Sequence, residues 1–240
     1  LLEGSAVAQT TTNAFALRAQ QAFAEAQREY AAHPDAADVA WHLGRATYDW
    51  AEFATNAEQR GAVARVGIAA CQHLIAANPQ SAAGHYYLGM DLGELAEAQA
   101  PSLSAYHLIR EIEREFKTAA DLDERFDFAG PLRCLGLLYR DAPGWPLSIG
   151  SRHKAREYLD RAAAVAPDFP ENLMNLVESN VQWRDETEAE QAWKKLAALW
   201  SEARTKLAGP GWDPSWADWT ARRTAARAEF EKAFKHTPEP

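Results

Sequence analysis

The chain has 240 residues, 47% of them apolar and 25% charged, with a net charge of −9. That length and apolar fraction suffice for one large core or two smaller ones. The negative balance excludes nonspecific nucleic-acid binding, which needs clustered Lys and Arg.

No run approaches the roughly eighteen apolar residues of a membrane-spanning helix. Ala is abundant and β-branched runs are scarce, so helix is expected throughout. Cys71 and Cys134 lie in Ala- and Leu-rich helical patterns without CxxC spacing. Buried free thiols are the expected reading, with no metal or redox motif. At the start, Ala6-Val7-Ala8 before Gln9 has the small-x-small form of a processing site. Residues 1–12 therefore read as a disordered tail or as the remnant of an export signal. A periplasmic or otherwise exported location follows from the second reading; a cytoplasmic one is the alternative.

Asn13 is the expected N-cap of a helix over 14–32, with Phe15, Ala22, Phe23 and Ala26 available for packing. His33-Pro34-Asp35 ends it. Asp38 is expected to cap the next helix, which carries Leu43-Gly44, Tyr48, Trp50 and Phe53. A polar break over 55–61 precedes a helix over 62–77, closed by Asn78-Pro79. Ser81 caps a helix bearing Leu88-Gly89. Pro101 and Ser102 mark a break before a long helix over 103–122. Leu132, Leu135, Gly136 and Tyr139 then form one helical face, and Ala155, Leu159 and Ala162 another. Pro170 and Glu171 open a helix through Leu173, Leu176, Val177 and Val181. A further helix covers 187–207. Gly209-Pro210-Gly211-Trp212-Asp213-Pro214 is a linker. The last helix, over 215–235, carries Trp216, Trp219, Phe230 and Phe234 near one stripe. It is expected to cap the array, with Arg222, Lys232 and Lys235 outside.

The punctuation repeats. Turns at Pro34, Pro79, Glu124 and Pro167 are spaced by 45, 45 and 43 residues. Leu-Gly pairs at Leu43-Gly44, Leu88-Gly89 and Leu135-Gly136 are spaced by 45 and 47, with a weaker echo at Leu176-Val177. Such a period marks stacked helix pairs sharing a continuous core.

The third pair, with Leu135, Gly136, Tyr139, Ala155, Ala162 and Pro167, resembles the tetratricopeptide repeat family. The expected fold is all-α: a right-handed α-α superhelix of about four extended tetratricopeptide-like helix pairs over 13–208. A linker and C-terminal capping helix follow over 209–240. From about 82 to 199, Gly130-Pro131, Leu135-Gly136, Pro143, Gly150, Lys154-Ala155, Tyr158-Leu159 and Ala162 resemble the T-component family of TRAP transporters. That resemblance implies a periplasmic accessory of an organic-acid uptake system. Its partner would be a substrate-binding protein or a small organic acid, and a homo-oligomer is open.

By the tetratricopeptide resemblance, groove residues lie three before, one after and four after each repeat Gly. These are Trp41, Arg45 and Tyr48; Tyr86, Met90 and Gly93; Arg133, Leu137 and Arg140. The set holds aromatics and three Arg but no acid. It suits a ligand with apolar surface and a carboxylate or phosphate. Arg45, Arg133 and Arg140 would meet the charge, while Trp41, Tyr48, Tyr86 and Met90 bury the rest. The alternative is that the aromatics pack between repeats and each Arg pairs with a nearby acid. The loop over 140–152 carries Trp145 between Gly144 and Pro146. It reads first as a structural plug and second as a lip over the groove.

Other constellations point to no chemistry. The His residues are scattered, so no metal site is expected. Glu111, Glu113 and Glu115 among Arg110, Arg114 and Lys117 read as a solvated helix face. There is no phosphate loop, dinucleotide fingerprint or acid–base pair. A non-catalytic binding protein without cofactor is the expectation, its alternative a general scaffold for peptide segments of other proteins.

Overall fold

The computed structural model describes residues 2–238, with side chains over 13–238. The helices in order are α1 (Leu2–Ala32), α2 (Ala37–Ala51), α3 (Ala57–Ala77), α4 (Ala82–Gln99) and α5 (Leu103–Leu122). They continue as α6 (Phe126–Asp141), α7 (Arg152–Val165), α8 (Pro170–Gln182), α9 (Glu186–Lys206) and α10 (Asp213–Phe234). Among the described residues, strand-like pairing is limited to an isolated bridge between Gly144 and Gly150. The chain is all-α, as its composition and period predict. None of the described helices is long and apolar enough to cross a membrane.

Two compact units divide the chain. The first comprises Leu1–Phe126 with Pro146–Ile149, the second Asp127–Trp145 with Gly150–Pro240. In the first unit α1 packs on α2, α2 on α3, α3 on α4 and α4 on α5, and α2 also meets α4. That pattern makes α2 and α4 equivalent first helices of stacked pairs. In the second unit α8 packs against α7, α9 and α10.

The Leu-Gly period has a steric cause. Leu43, Leu88 and Leu135 are buried. Each neighbouring glycine lies where the second helix of its own pair comes close. A Cβ on Gly44 would stand 2.6 Å from Cys71 Sγ, and one on Gly89 2.6 Å from the Phe116 ring. One on Gly136 would stand 2.6 Å from the Leu159 side chain and 3.1 Å from its backbone nitrogen. Gly136→Ala therefore pushes α7 off α6. We expect it to destabilise the second unit by about 1–3 kcal/mol, read by denaturant unfolding. Val177, fully buried, takes the corresponding place in α8.

Side-chain caps fall largely where the polar breaks predict. Ser81 Oγ accepts from Gly84 N–H at 3.0 Å, Ser102 Oγ from Ala105 at 3.2 Å and Asn56 Oδ1 from Gln59 at 2.8 Å. Asn56 thus starts α3 several residues before the expected position. Two expected caps move. Ala36 occupies the N-cap of α2, and Asp38 lies in its first turn, where a carboxylate favours the helix dipole. Helix α1 begins at Leu2, so Asn13 is interior. The processing-site reading of residues 1–8 concerns side chains outside the described ones.

Other expectations change with burial. Glu113 and Glu115 are buried, not solvated. Glu115 lies 2.6 Å from His85 Nδ1 and accepts from Arg114, while His85 Nε2 lies 3.0 Å from the Pro79 carbonyl oxygen. That tie joins α4 to α5. In α10, Trp216 and Trp219 pack with Phe169 and Ala203, and Ala226 and Phe230 join the core around Leu159, Met174 and Trp193. Arg222, expected outside, turns inward: its Nε and Nη2 fork onto Glu178 at 2.9 and 2.7 Å. Cys71 is buried and Cys134 half-buried, and neither is in a disulfide.

Candidate binding face

On α2 and its C-cap, Glu52, the positions 41, 45, 48 and 52 follow one another at helical spacings of four, three and four. On α4 the positions 86, 90, 93 and 97 do the same. Each set is one stripe of a first helix of the first unit. The N-terminal halves of these stripes are aromatic. Trp41 stacks on Tyr87 with ring centroids 5.7 Å apart and planes 7° from parallel. Phe126 meets Trp41, Tyr86 and Tyr87 edge-on at 6.3, 5.4 and 6.1 Å. Tyr86 and Tyr87 are buried, whereas Trp41 and Phe126 are half-buried. Met90 is half-buried as well, and a Cβ on Gly93 would meet nothing within 4 Å. The wall is therefore formed by side chains but not closed by them.

The C-terminal halves are acidic. Tyr48 Oη donates to Glu52 at 3.2 Å. Arg60 of α3 bridges Glu94, at 2.9 Å, and Glu97. Arg45 is exposed and lies 3.9 Å from Asp49. Burial raises the Glu94 carboxyl to about 7, with Arg60 opposing the rise and Glu97 and Glu52 adding to it. Four carboxylates thus face two guanidinium groups here. The C-terminal ends of α2 and α4 add negative dipole to the same region. Cations are favoured and anions are not.

Beneath this face lies a buried acid. Asp91 is fully buried, and both its oxygens lack a hydrogen-bond partner, as does Thr47 Oγ1. A Cβ on Gly67 would collide with Asp91 Oδ2 and press on Thr47. The α2 and α3 backbones approach this carboxyl closely at Gly44 and Gly67. Burial, then Glu94 and Asp49, push the Asp91 carboxyl well above the usual carboxylate range. Burial and then Asp91 likewise raise the Cys71 thiol.

In the second unit the predicted arginines are engaged. Asp127, Phe128 and Ala129 open α6 in the left-handed region, with φ of 48°, 56° and 64°. Three such non-glycine residues in a row cost roughly 1–2 kcal/mol each. The Phe128 carbonyl accepts from Arg133 Nη1 at 3.2 Å and from Asn172 Nδ2 at 3.0 Å. The Phe128 ring stacks on Phe169 at 4.4 Å, and the Arg133 guanidinium sits 5.2 Å from the centre of the Phe169 ring. Arg133 also donates to Asn172 Oδ1 and pairs with Asp127 at 3.6 Å and Glu171 at 3.9 Å. Arg133 is buried and braces the left-handed turn. Arg140 forks onto Asp141 at 2.7 and 2.8 Å and donates to Ser179 at 3.2 Å. Leu137 packs on the Leu159–Val177 core.

The structure thus brings Trp41 and Tyr86 together around Phe126, with Tyr48 and Met90 on the same two stripes. Each of Arg45, Arg133 and Arg140 has an acidic partner. Trp145 does not plug the helices it joins; it is 88% exposed. The sequence reading missed Phe126, Tyr87, Glu52 and Glu97. One further helical step along each stripe leads to Glu52 and Glu97. Among the described residues no cluster of three His, Cys, Asp or Glu could hold a metal ion.

No protein-family model matches the chain. No curated protein sequence matches it either. Among solved structures it is similar to a thermophilic TPR protein of Thermus thermophilus. The two are 18% identical over 91% of this chain and 95% of that one, with a TM-score of 0.64. At that identity the likeness speaks for the fold, a tetratricopeptide-like array of helix pairs. It carries nothing of the narrower likeness to transporter T-components.

Proposed function

We propose that this chain is a non-catalytic scaffold that binds a segment of another polypeptide on the α2–α4 face of its first unit. The segment places an apolar or aromatic side chain against Trp41 and Phe126, and a Lys or Arg against Glu52 and Glu97. The observation that carries this reading is the pair of stripes, aromatic and half-open at one end, acidic at the other. Stacked helix pairs present such stripes side by side, which suits an extended chain.

An accessory role in organic-acid uptake needs an anion site instead. The arginines on which that reading relies are paired with Asp49, Asp141, Asp127 and Glu171. A cationic, partly apolar segment fits the charges better than a carboxylate does.

Selection from a random displayed-peptide library tests this. Winning sequences are expected to combine Trp, Phe, Tyr or Leu with Lys or Arg a few residues away. Their affinity should fall as salt rises. Enrichment of acidic peptides, or selection that ignores charge, would contradict the assignment.

A further inference from the structure

In the second unit, indoles and guanidinium groups alternate along the seam between α9 and α10. The Arg204 guanidinium lies 5.1 Å from the centre of the Trp216 ring. Trp216 meets Trp200 edge-on at 5.2 Å. The Arg223 guanidinium lies 4.6 Å from the centre of the Trp200 ring and 5.5 Å from that of Trp193. Trp193, Trp200 and Arg204 come from α9, Trp216 and Arg223 from α10. The rings are held in place. Trp193 and Trp216 belong to buried core clusters, and Trp216 Nε1 donates to the Leu207 carbonyl at 2.6 Å.

Arg204 and Arg223 differ from their neighbours in lacking a carboxylate. The half-buried Arg140, Arg156 and Arg222 of the same unit reach Asp141, Asp185 and Glu178. Arg223 is half-buried too, yet among the described residues its contacts are the two Trp rings. Three and four residues either way, Arg204 has Trp200, Ser201, Leu207 and Ala208, and Arg223 has Trp219, Thr220, Ala226 and Arg227. None of these is an acid. Burial and then Arg227 push the Arg223 guanidinium below its usual range, and no carboxylate opposes the shift. A guanidinium laid on an indole has one face shielded from water and its in-plane N–H groups left to donate. Such a charge, half-buried without a counter-charge, costs free energy that an arriving carboxylate offsets.

We propose that the α9–α10 seam docks an acidic segment of a partner polypeptide, with carboxylates on Arg204 and Arg223 and an apolar side chain beside Trp200. The two cations sit on different rings and different helices, so the seam offers separate seats. That suits carboxylates spaced along one chain better than a single small anion. A nucleic acid needs a longer run of open cations. Here the next ones along the helices, Lys206 and Arg227, already hold Glu202 and Glu231. This surface lies wholly in the second unit and does not rest on the peptide-binding face of the first.

A displayed-peptide library, first depleted on Arg204→Gln/Arg223→Gln and then selected on the full wild-type chain, tests the proposal. Depletion removes peptides held by the α2–α4 face, which this variant keeps. The peptides that remain are expected to be rich in Asp and Glu. One of them, resynthesised, should bind wild type at least about tenfold more tightly than the double variant and weaken as salt rises. Arg204→Glu alters one exposed side chain, keeps the thermal unfolding profile and should abolish binding. A selection that retains nothing after depletion overturns the proposal. So do retained peptides without acidic residues, or an acidic peptide that Arg204→Glu binds like wild type. So does sedimentation in which copies of the chain associate through Arg204 and Arg223 and leave such peptides unbound.

Discussion

Arg133→Ala is expected to destabilise the second unit by about 3 kcal/mol. The guanidinium is buried and donates to two acceptors, the Phe128 carbonyl and Asn172 Oδ1. Truncation leaves the side chains of Asp127 and Glu171 without that cation and removes its contact with Phe169. It also withdraws one brace from a turn of three left-handed residues, which unbraced tends to unwind. Arg133→Lys keeps the charge but loses the planar guanidinium that lies against the Phe169 ring while reaching Asp127 and Glu171, so it should recover only part of the loss. Seven of the nine tryptophans belong to the second unit, so denaturant unfolding followed by fluorescence reads it well. If Arg133 instead waits for a ligand, its removal will leave stability within about 0.5 kcal/mol of wild type.

The first unit is expected to lose stability as pH rises, opposite to ordinary acid denaturation. Asp91 and Glu94 lie one turn apart on α4, both buried and both with carboxyls raised by that burial. The groups facing them are Thr47, Asp49 and Glu52 from α2, Arg60 and Cys71 from α3, and Glu97 on α4 itself. An acid whose folded value lies above its unfolded one holds more protons when folded. Its contribution is therefore lost as pH climbs from the unfolded value toward the folded one. For Glu94 that window runs from 4.5 to about 7. Asp91 begins to contribute near 3.8 and continues upward. Each group costs roughly 1 kcal/mol per pH unit inside its window. Asp91→Asn keeps the shape and removes the titration, so it should flatten much of the slope and raise stability near neutral pH. Buried Cys71 supplies the probe. Its labelling in a Cys134→Ser background, corrected for the thiol's own ionisation in urea, reports opening of the first unit. Labelling that slows as pH rises, or a slope that Asp91→Asn leaves unchanged, would contradict the account.

How much of this was legible in the residues depends on what each feature needs. The helix pairs could be read because Gly44, Gly89 and Gly136 each solve the same steric problem at nearly the same spacing. The Ser81 cap was visible because a hydroxyl before an apolar run has one common use. The turn at Asp127, Phe128 and Ala129 carries no Gly or Asn to announce its left-handed backbone. Arg133 therefore read as a groove residue, since one of its acceptors is a carbonyl that only that turn exposes. Asp91 was hidden for another reason: an Asp in a helix normally faces water, and glycines on two other helices bury this one. Glu52 and Glu97 were overlooked because the family pattern stops one helical step short of them. Trp145 reads as packing from its Gly and Pro neighbours, yet those neighbours brace the loop's base and leave its ring outside.

The account's central claim is that the α2–α4 face of the first unit seats an apolar and basic segment. The measurement closest to it is calorimetric titration of one library-selected peptide against wild type, Trp41→Ala and Glu52→Gln/Glu97→Gln. Trp41→Ala should weaken binding by at least about tenfold. The double Gln variant should weaken it several-fold and flatten its salt dependence. Affinity that all three proteins share would place the peptide elsewhere and contradict the claim.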